Sequence, residues 1–304
     1  MEYRYILADV FTETIFGGNQ LAVLPDARGL SAEQMQAITR EFNLSETVFA
    51  LPPDDPRHTR RLRIFTPGFE VPFAGHPTVG AAYVLAAIGE IALAGPTTPI
   101  VFEEGVGPVR VAIQSRDGLP ISAQLTAAQL PVYGPEPPPA DQLARVLGLA
   151  SDDILAGDDR PLGVSCGVPF LFLPLRDRAA VDRARVDQAA WQGALASFWA
   201  PHVYVFAYER GAGGGQVYAR MFAPAMNIPE DPATGAAAAA LAGYLGRIDP
   251  APGTRRWTIA QGVAMGRPST IALELDNVDG AIAEVRVGGS AVLVGEGILR
   301  VPDM

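Results

Sequence analysis

The chain has 304 residues, of which 49% are hydrophobic and 18% are charged, and its formal net charge at pH 7 is −10. This length suits two domains of about 150 residues each, and the apolar fraction is sufficient for a large buried core. The acidic balance, without any Lys/Arg-rich cluster, argues against a nucleic-acid-binding protein.

No apolar stretch reaches the length of about 20 residues that a membrane-spanning helix needs; the longest candidate is the Ala-rich run at 235–245. The N-terminal residues lack the basic and then apolar pattern of a signal peptide. The chain has a single cysteine, Cys166, which excludes an internal disulfide and a racemase that uses two opposed thiols. A lone cysteine of this kind usually packs as a small apolar residue, and we expect the same of Cys166. We therefore expect a cytoplasmic protein that contacts no membrane.

The first clear elements in chain order are one helix and two short strands. Residues 32–42 have helical apolar spacing and follow Ser31, which forms the pattern of a capping box with Gln34. Residues 46–51 and 61–65 read as short runs of strand residues. The N-terminal part of the chain is thus predicted to mix helix and strand.

Two Ala-rich segments, 77–88 and 232–245, are predicted to be central helices. Each begins with proline, which is favoured at the first helical position, and each is followed by glycine, Gly89 or Gly246. Small apolar side chains lie on nearly every side of both segments, so a position on the protein surface is unfavourable. We expect strands to cover both helices.

An internal repeat relates the two halves of the chain. Four residues recur 157 positions later, with Arg63, Phe65, Pro67 and Pro72 matching Arg220, Phe222, Pro224 and Pro229. The same offset relates Glu104-Gly105-Val106 to Gln261-Gly262-Val263. Between these matches, His76-Pro77 aligns with Asp231-Pro232 at an offset of 155.

The repeat predicts two pseudo-symmetric domains, residues 1–125 and 126–304, with the boundary in a Pro-rich polar segment. The sequence leaves open whether the last strand, within residues 282–304, returns to complete the first half. If a pseudo-two-fold axis relates the halves, the N-termini of the two central helices face each other across a cleft. Their N–H groups and dipoles would hold a carboxylate and stabilise an enolate-like intermediate.

Four side chains are candidates for chemistry, and each has a plain structural alternative. Glu46 begins an apolar strand, where partial desolvation would suit a general base, although a strand-end glutamate is commonly solvated. Asp231 precedes Pro232 as a helix N-cap would, and His76 aligns with it although histidine is not a preferred cap. Asn19, in a Gly-Gly-Asn-Gln string, has the form of a turn residue.

Several motifs are distributed along the chain: Asp9-Val10-Phe11-Thr12, Phe16-Gly17-Gly18-Asn19-Gln20, Leu44-Ser45-Glu46-Thr47, Gly75-His76-Pro77-Thr78, Glu230-Asp231-Pro232-Ala233-Thr234-Gly235, Gln261-Gly262 and Val287-Gly288-Gly289-Ser290. Together they resemble the PhzF family of phenazine-biosynthesis-like proteins over essentially the whole chain. The resemblance implies the diaminopimelate-epimerase-like fold. This is an α+β fold in which each of two pseudo-symmetric domains is a mixed sheet wrapped around a central helix.

The resemblance also implies an activity and a set of residues. The family is cofactor-free, metal-free and commonly dimeric, and its characterised reaction isomerises a dihydro-hydroxyanthranilate by moving a proton between carbons. Glu46 matches the acid/base, and His76 and Asp231 match the polar residues that orient substrate and glutamate. Gly75 and Gly235 match backbone contacts at the helix N-termini. The substrate-binding positions are then Asn19, Gly75, Gly235 and Ala236.

Ala236 departs from this resemblance. The phenazine enzyme's pattern continues Thr-Gly-Ser, so a hydroxyl is absent here, and the loss of one such donor weakens binding by about 1–3 kcal/mol. We therefore expect a cofactor-independent, homodimeric isomerase that moves a proton between carbons of a small carboxylated, unsaturated substrate. Two alternatives stay open: an epimerase or racemase of an amino-acid-like substrate that uses no thiols, and a non-catalytic small-molecule-binding protein.

Overall fold

The computed structural model describes residues 1–211 and 213–302. The chain forms two compact units. The first comprises Met1–Ala128 and the segment from Gly288 onward, and the second comprises Gln129–Val287. No helix among the described residues is long and apolar enough to cross a membrane.

The described residues up to Ala128 form strands β1 (Glu2–Val10), β2 (Asn19–Leu24), β3 (Glu46–Leu51), β4 (Arg60–Phe65), β5 (Glu70–Val71), β6 (Thr97–Glu104), β7 (Gly107–Arg116) and β8 (Leu119–Thr126), with helices α1 (Ala32–Phe42) and α2 (Gly75–Ala87). After them come strands β9 (Val132–Tyr133), β10 (Leu162–Ser165), β11 (Pro169–Pro174), β12 (His202–Gly211), β13 (Gly214–Ala223), β14 (Ile228–Asp231), β15 (Gly253–Gln261), β16 (Ser269–Val278), β17 (Ala281–Gly289) and β18 (Ala291–Arg300). The helices of this part are α3 (Ala140–Leu147), α4 (Arg178–Arg183), α5 (Gln188–Ala194) and α6 (Gly235–Ile248). Short 3-10 helices lie at Ser151–Asp153, Gly157–Asp159, Pro224–Met226 and Val263–Met265.

In the first unit a mixed sheet surrounds α2. Strand β1 pairs antiparallel with β2 and with β18, β2 runs parallel to β3, and β3 pairs antiparallel with β4. Strands β6, β7 and β8 form an antiparallel meander. Helix α2 contacts β1, β2, β3, β7, β8 and β18, and nearly all of its residues are buried. The prediction of a central helix covered by strands is confirmed here.

The second unit repeats this arrangement around α6. Strand β10 pairs antiparallel with β11, β11 runs parallel to β12, and β12 pairs antiparallel with β13. Strand β13 runs parallel to β15, which pairs antiparallel with β16. Helix α6 contacts β10, β11 and β16 and is almost completely buried. The predicted α+β class, with a mixed sheet around each central helix, is therefore confirmed.

The start of α1 follows the sequence prediction closely. Ser31 Oγ accepts a hydrogen bond from the Gln34 backbone N–H at 3.2 Å, and Gln34 Oε1 accepts one from the Ser31 N–H at 2.9 Å. The helix spans the predicted residues and ends at Asn43, which adopts the left-handed conformation with φ of 51°. These local signals were sufficient because a capping box satisfies two otherwise unpaired N–H groups within the segment itself.

The predicted starts of the two central helices are wrong. Helix α2 begins at Gly75 with Ala74 as its N-cap, so Pro77 is the third helical residue instead of the first. Helix α6 begins at Gly235 with Thr234 as its N-cap, whereas Asp231 ends strand β14. The C-terminal prediction for α6 is wrong as well, because Gly246 lies inside the helix. A Cβ there would be 2.9 Å from Leu275 of β16, so this glycine permits close packing.

The repeat is present, but its offset at the central helices is different from the sequence alignment. A Cβ on Gly105 would meet Pro72, and a Cβ on Gly262 would meet Pro232, so these two prolines are equivalent. The second half carries three more residues before the helix: the Arg63–Glu70 ion pair spans seven positions, and the equivalent Arg220–Glu230 pair spans ten. His76 therefore corresponds to Ala236, and its alignment with Asp231 is wrong.

The two equivalent Arg–Glu ion pairs of the repeat differ in burial. They can therefore be compared in a stability test. Arg220 is 4% exposed, forms two hydrogen bonds with Glu230 and donates to three backbone carbonyls. Arg63 is 27% exposed and forms its two bonds with Glu70 alone. Arg220→Met is expected to lower the free energy of unfolding by about 3–5 kcal/mol, because it leaves Glu230, which is only 16% exposed, and three backbone carbonyls without their donor.

Arg63→Met, the control for this prediction, is expected to cost about 1 kcal/mol or less, since exposed ion pairs contribute little. Urea denaturation of both variants measures the difference. Equal losses of stability would contradict the assignment of Arg220 as a buried anchor.

The C-terminal segment contains two strands where the sequence suggested one. Strands β17 and β18 are separated at Ser290, whose carbonyl accepts a hydrogen bond from the Phe11 N–H at 2.8 Å. Strand β18 pairs antiparallel with β1 from Glu2–Arg300 to Val10–Ala291. The return of the chain to the first unit thus begins near residue 288, later than the segment 282–304 suggested.

Candidate active site

Glu46 is the first residue of β3, at the edge of the first unit's core. Strand β3 runs parallel to β2, and Glu46 lies beside Leu21 in this pairing. The residues that follow it in β3 are buried, so the strand holds the Glu46 backbone while its side chain keeps 18% exposure. Glu46 Oε2 lies 3.5 Å from His76 Nδ1. The carboxylate is thus partly desolvated and faces a histidine.

His76 is the second residue of α2 and is almost fully buried. Its Nε2 lies 3.3 Å from the backbone carbonyl oxygen of Gln20. A carbonyl oxygen accepts hydrogen bonds only, so Nε2 carries the ring proton and donates. Burial lowers the pKa of His76 to about 4, so the ring is neutral at pH 7 and Nδ1 carries a lone pair.

The tautomer of His76 determines what Glu46 can do. An ionised carboxylate oxygen facing the lone pair on Nδ1 gains nothing from the contact. A proton on that oxygen allows Glu46 to donate a hydrogen bond to Nδ1. The contact with Nδ1 is therefore more favourable when Glu46 is protonated than when it is ionised. This is the property of a general base that takes a proton from a weakly acidic carbon and afterwards returns it.

Close packing of α2 sets the position of His76. Gly80 lies one helical turn after His76, and a Cβ at this glycine would be 2.5 Å from Leu21 Cδ2 and 2.6 Å from Val10 Cγ2. Gly80→Ala is therefore expected to push α2 away from β2, to lower the free energy of unfolding by about 1–3 kcal/mol and to weaken the His76–Gln20 contact.

Gly193→Ala is the matched control, because Gly193 also lies in a helix and a Cβ added there would have no atom within 4 Å. This variant is expected to be neutral or to stabilise the protein by up to about 1 kcal/mol. Thermal denaturation measures both variants. A Gly80→Ala protein as stable as the Gly193→Ala protein would show that α2 has room to move.

Asn19 precedes Glu46 along the chain, and Gly75 directly precedes His76. Asn19 begins β2, where it is 1% exposed and pairs with Val10 of β1, so it is a strand residue and the turn interpretation is wrong. The preceding Gly18 has φ of +60°, and a Cβ there would be 2.3 Å from the Val10 carbonyl oxygen. Gly75 is the first residue of α2, whose N-cap Ala74 provides no capping side chain.

In the second unit, Asp231 ends strand β14 and is hydrogen-bonded to residues near the start of α6. Its Oδ2 accepts a hydrogen bond from Thr234 Oγ1 at 2.5 Å, and its backbone carbonyl accepts one from Gln261 Nε2 at 2.8 Å. Gln261 Nε2 also donates to Thr234 Oγ1 at 3.1 Å, and Tyr204 donates to Gln261 Oε1 at 3.2 Å. Asp231 thus interacts with the N-cap residue of α6 without being the cap.

The candidate residues fall into two groups, each within one unit. Asn19, Glu46, Gly75 and His76 lie in the first unit, where Glu46 and His76 are in contact. Asp231, Gly235 and Ala236 lie in the second unit, where the last two begin α6. Three interacting residues were not proposed from the sequence, namely Gln20, Thr234 and Gln261. All three lie within the sequence motifs that carry the family resemblance, and Gln261 also recurs in the repeat at the position of Glu104.

Cys166 lies between β10 and β11, and burial raises the pKa of its thiol to about 12. The thiol is therefore protonated at neutral pH and unreactive, in keeping with its interpretation as a small apolar residue. Within residues 1–211 and 213–302, no group of three or more His, Cys, Asp or Glu side chains is placed to hold a metal ion.

The family model of phenazine biosynthesis-like proteins, PhzC-PhzF, matches residues 8–297. The chain belongs to this family. An uncharacterized isomerase of Mesorhizobium japonicum is 44% identical over 97% of this chain and 98% of its own. The trans-2,3-dihydro-3-hydroxyanthranilate isomerase of Pseudomonas aeruginosa is 34% identical over 97% of this chain and 98% of its own. The relatives in the family are thus named as isomerases, and this chain is an isomerase of the same type.

A solved structure gives the same result for the fold. The phenazine biosynthesis protein of the PhzF family from Bacillus anthracis matches with a TM-score of 0.88 and covers 99% of this chain and 100% of its own. Its sequence identity is 21%, so this match shows the fold alone. The resemblance inferred from the sequence motifs is confirmed.

Proposed function

We propose that this isomerase moves a proton between carbons of a small carboxylated, unsaturated substrate, with Glu46 as the acid/base. Glu46 takes a proton from one carbon, and the electron pair of the broken C–H bond enters the conjugated system of the substrate. Glu46 then returns the proton to another carbon of that system. The C–H bond that breaks is replaced by the one that forms, so no oxidant or second substrate is consumed.

The observation that carries this proposal is the Glu46–His76 contact. A neutral histidine whose Nε2 proton is committed to the Gln20 carbonyl presents only its Nδ1 lone pair to Glu46. That contact is favourable when Glu46 carries the proton, so it stabilises the state that follows proton removal from carbon. Catalysis requires an interaction of this kind, one that strengthens as the reaction proceeds.

The substrate class follows from the relatives and from Ala236. The relative in Pseudomonas aeruginosa is named for trans-2,3-dihydro-3-hydroxyanthranilate, which is a cyclic carboxylate. This compound is therefore the first substrate to test. Ala236 has no side-chain hydroxyl, but the first N–H groups of α6 have no acceptor within the helix. We propose a related carboxylate whose binding does not need that hydroxyl.

Product identification tests the proposal. The protein is incubated with trans-2,3-dihydro-3-hydroxyanthranilate and with other unsaturated ring carboxylates, and the mixtures are examined by NMR and by chiral chromatography. Migration of a double bond supports the proposal. Inversion at one stereocentre without migration would replace it with an epimerase, and tight binding with neither change would replace it with a binding protein.

Three further expectations belong to this proposal and stay predictions. Asp231 is expected to act on the same substrate as Glu46, which a double-mutant cycle with Asp231→Asn and Glu46→Asp tests by departure from additivity. No metal or cofactor is expected to be required, so exhaustive dialysis against a chelator is expected to leave kcat unchanged. A cytoplasmic homodimer is expected, and light scattering measures the oligomeric state.

A further inference from the structure

Glu104, the last residue of β6, is a buried carboxyl group outside the Glu46–His76 pair. It is 8% exposed, and its Oε1 lies 2.7 Å from Thr78 Oγ1. No donor among the described residues reaches its Oε2, which is fully buried. A buried, ionised carboxylate with one oxygen left without a donor is strongly unfavourable, whereas a neutral carboxylic acid costs much less. The surroundings of Glu104 therefore favour the neutral carboxylic acid.

The two hydrogen bonds of Thr78 also indicate that Glu104 is protonated. Thr78 Oγ1 lies 2.8 Å from the Ala74 carbonyl oxygen as well as 2.7 Å from Glu104 Oε1. A carbonyl oxygen only accepts, so the single hydroxyl proton of Thr78 is donated to Ala74. The short contact to Glu104 then needs a second proton, and a protonated Glu104 carboxyl supplies it.

Among the described residues around Glu104, no cation is placed to neutralise an ionised carboxylate. Glu104 lines an open cavity of about 630 Å³ together with charged residues from neighbouring elements. Each of these is engaged elsewhere: Arg61 of β4 with Asp54, Arg63 of β4 with Glu70 of β5, and Glu103 of β6 with His58. On α2 the nearest titratable group in the first turn is His76, which is neutral. Burial accordingly raises the pKa of Glu104 to about 8.

The other half of the chain contains a permanent donor at the equivalent position. Gln261 ends β15 as Glu104 ends β6, and each is followed by a glycine that packs against the equivalent proline. Gln261 Nε2 donates to Thr234 Oγ1 at 3.1 Å, at the start of α6. An amide N–H at this place in one half, and a carboxyl O–H in the other, make the same type of bond to a threonine hydroxyl.

We propose that Glu104 is a positioning residue, held as a neutral carboxylic acid, which donates a hydrogen bond to Thr78 and thereby fixes the first turn of α2 that carries His76. Thr78 lies two residues after His76 and bonds the carbonyl of the N-cap residue Ala74, so it holds this turn closed. Ionisation of Glu104 removes the donated proton and loosens the turn. The effect of Glu104 on turnover rests on the proposed function, but its effect on His76 does not.

The protonation of Glu104 makes the stability of the folded protein depend on pH. The folded protein keeps the Glu104 proton up to about pH 8, whereas an unfolded glutamate loses it near 4.5. The folded state therefore binds more protons between these values, and its stability falls as pH rises from about 4.5 to about 8. Glu104→Gln removes this dependence, so the melting temperature of the variant is expected to rise relative to the wild type over that range.

NMR of the intact protein tests the inference without a substrate. The chain has three histidines, so the ring signals of His76 are assignable from single variants. The Glu104 carboxyl carbon, assigned as the signal lost in Glu104→Gln, is expected to titrate near pH 8. The His76 ring nitrogens are expected to shift with the same midpoint in the wild type and to show no such step in Glu104→Gln. Glu103→Gln, at the neighbouring position, is the control and keeps the step.

A Glu104 carboxyl that titrates near pH 4.5, or a His76 ring that does not respond, would overturn the proposal. Thr78→Val makes the same test if Glu104→Gln does not fold, because it removes the hydroxyl between Glu104 and Ala74 and is expected to abolish the His76 step. A step that persists in Thr78→Val would also overturn it. With the proposed substrate, kcat of the wild type is expected to fall about tenfold one pH unit above the midpoint, and kcat of Glu104→Gln is not.

Discussion

Replacing Glu46 with glutamine is expected to lower kcat by about 10²- to 10⁴-fold while the protein stays folded. The amide is close in shape to the carboxylate but cannot accept a proton from carbon. Glu46 is at a strand start with partial exposure, so the substitution buries no new group. The measurement is steady-state turnover, with circular dichroism and thermal denaturation to verify the fold.

Glu41→Gln is the control for this substitution, because Glu41 is exposed on α1 and makes the same chemical change away from the pair. It is expected to keep full activity. A Glu46→Gln protein that retained a tenth or more of wild-type kcat would show that another group moves the proton.

Replacing His76 with phenylalanine is expected to lower kcat by about 10- to 100-fold, because the ring keeps its bulk but loses Nδ1 and the bond to Gln20. Glu46 then loses the Nδ1 lone pair, which favours its protonated form. His58→Phe, which removes a ring that contacts Glu103, is expected to leave kcat unchanged. If both variants kept wild-type kcat, the role of the His76 tautomer would be wrong.

His76→Phe is also expected to change how the stability of the protein depends on pH. The folded protein holds the pKa of His76 at about 4, whereas the unfolded chain titrates near 6.5. The unfolded state therefore binds more protons between these values, and wild-type stability falls as pH drops from about 6.5 to about 4, by up to about 3 kcal/mol. The stability difference between wild type and His76→Phe, followed by urea denaturation across this range, is expected to shift against the wild type at low pH.

Elements specified by local interactions were predictable from the sequence. Helix α1 begins and ends where its capping box and apolar spacing indicate, and β3 spans the predicted residues. Both depend on neighbours within a few positions along the chain. The central helices were also evident from composition, because a segment that is small and apolar on all sides has to be buried.

The details of the turns before these helices were not predictable in the same way. The rule that proline occupies the first helical position predicted Asp231 as a cap, but the Thr234 hydroxyl and the Gln261 amide hold Asp231 at the end of β14, before the helix. Gln261 is thirty residues away from Asp231, so no local pattern indicates the contact. The hydrogen-bond partner of His76 Nε2 is the backbone carbonyl of Gln20. Every residue type has this group, so the sequence gives no indication of the contact.

The corrected repeat also changes the meaning of Ala236. It occupies in α6 the place that His76 occupies in α2, so the two halves contribute different chemistry from equivalent positions. The first half provides an imidazole beside a carboxylate, and the second provides the N–H groups of a helix N-terminus behind Asp231.

Exchange of substrate hydrogen with solvent tests the central claim, that Glu46 moves the proton, most directly. The substrate is incubated in ²H₂O with the wild type and with Glu46→Gln, and the deuterium content of each carbon is followed by NMR and mass spectrometry. The wild type is expected to place deuterium at the two carbons between which the proton moves, and Glu46→Gln is expected to place none. Equal incorporation by the two proteins would contradict the claim.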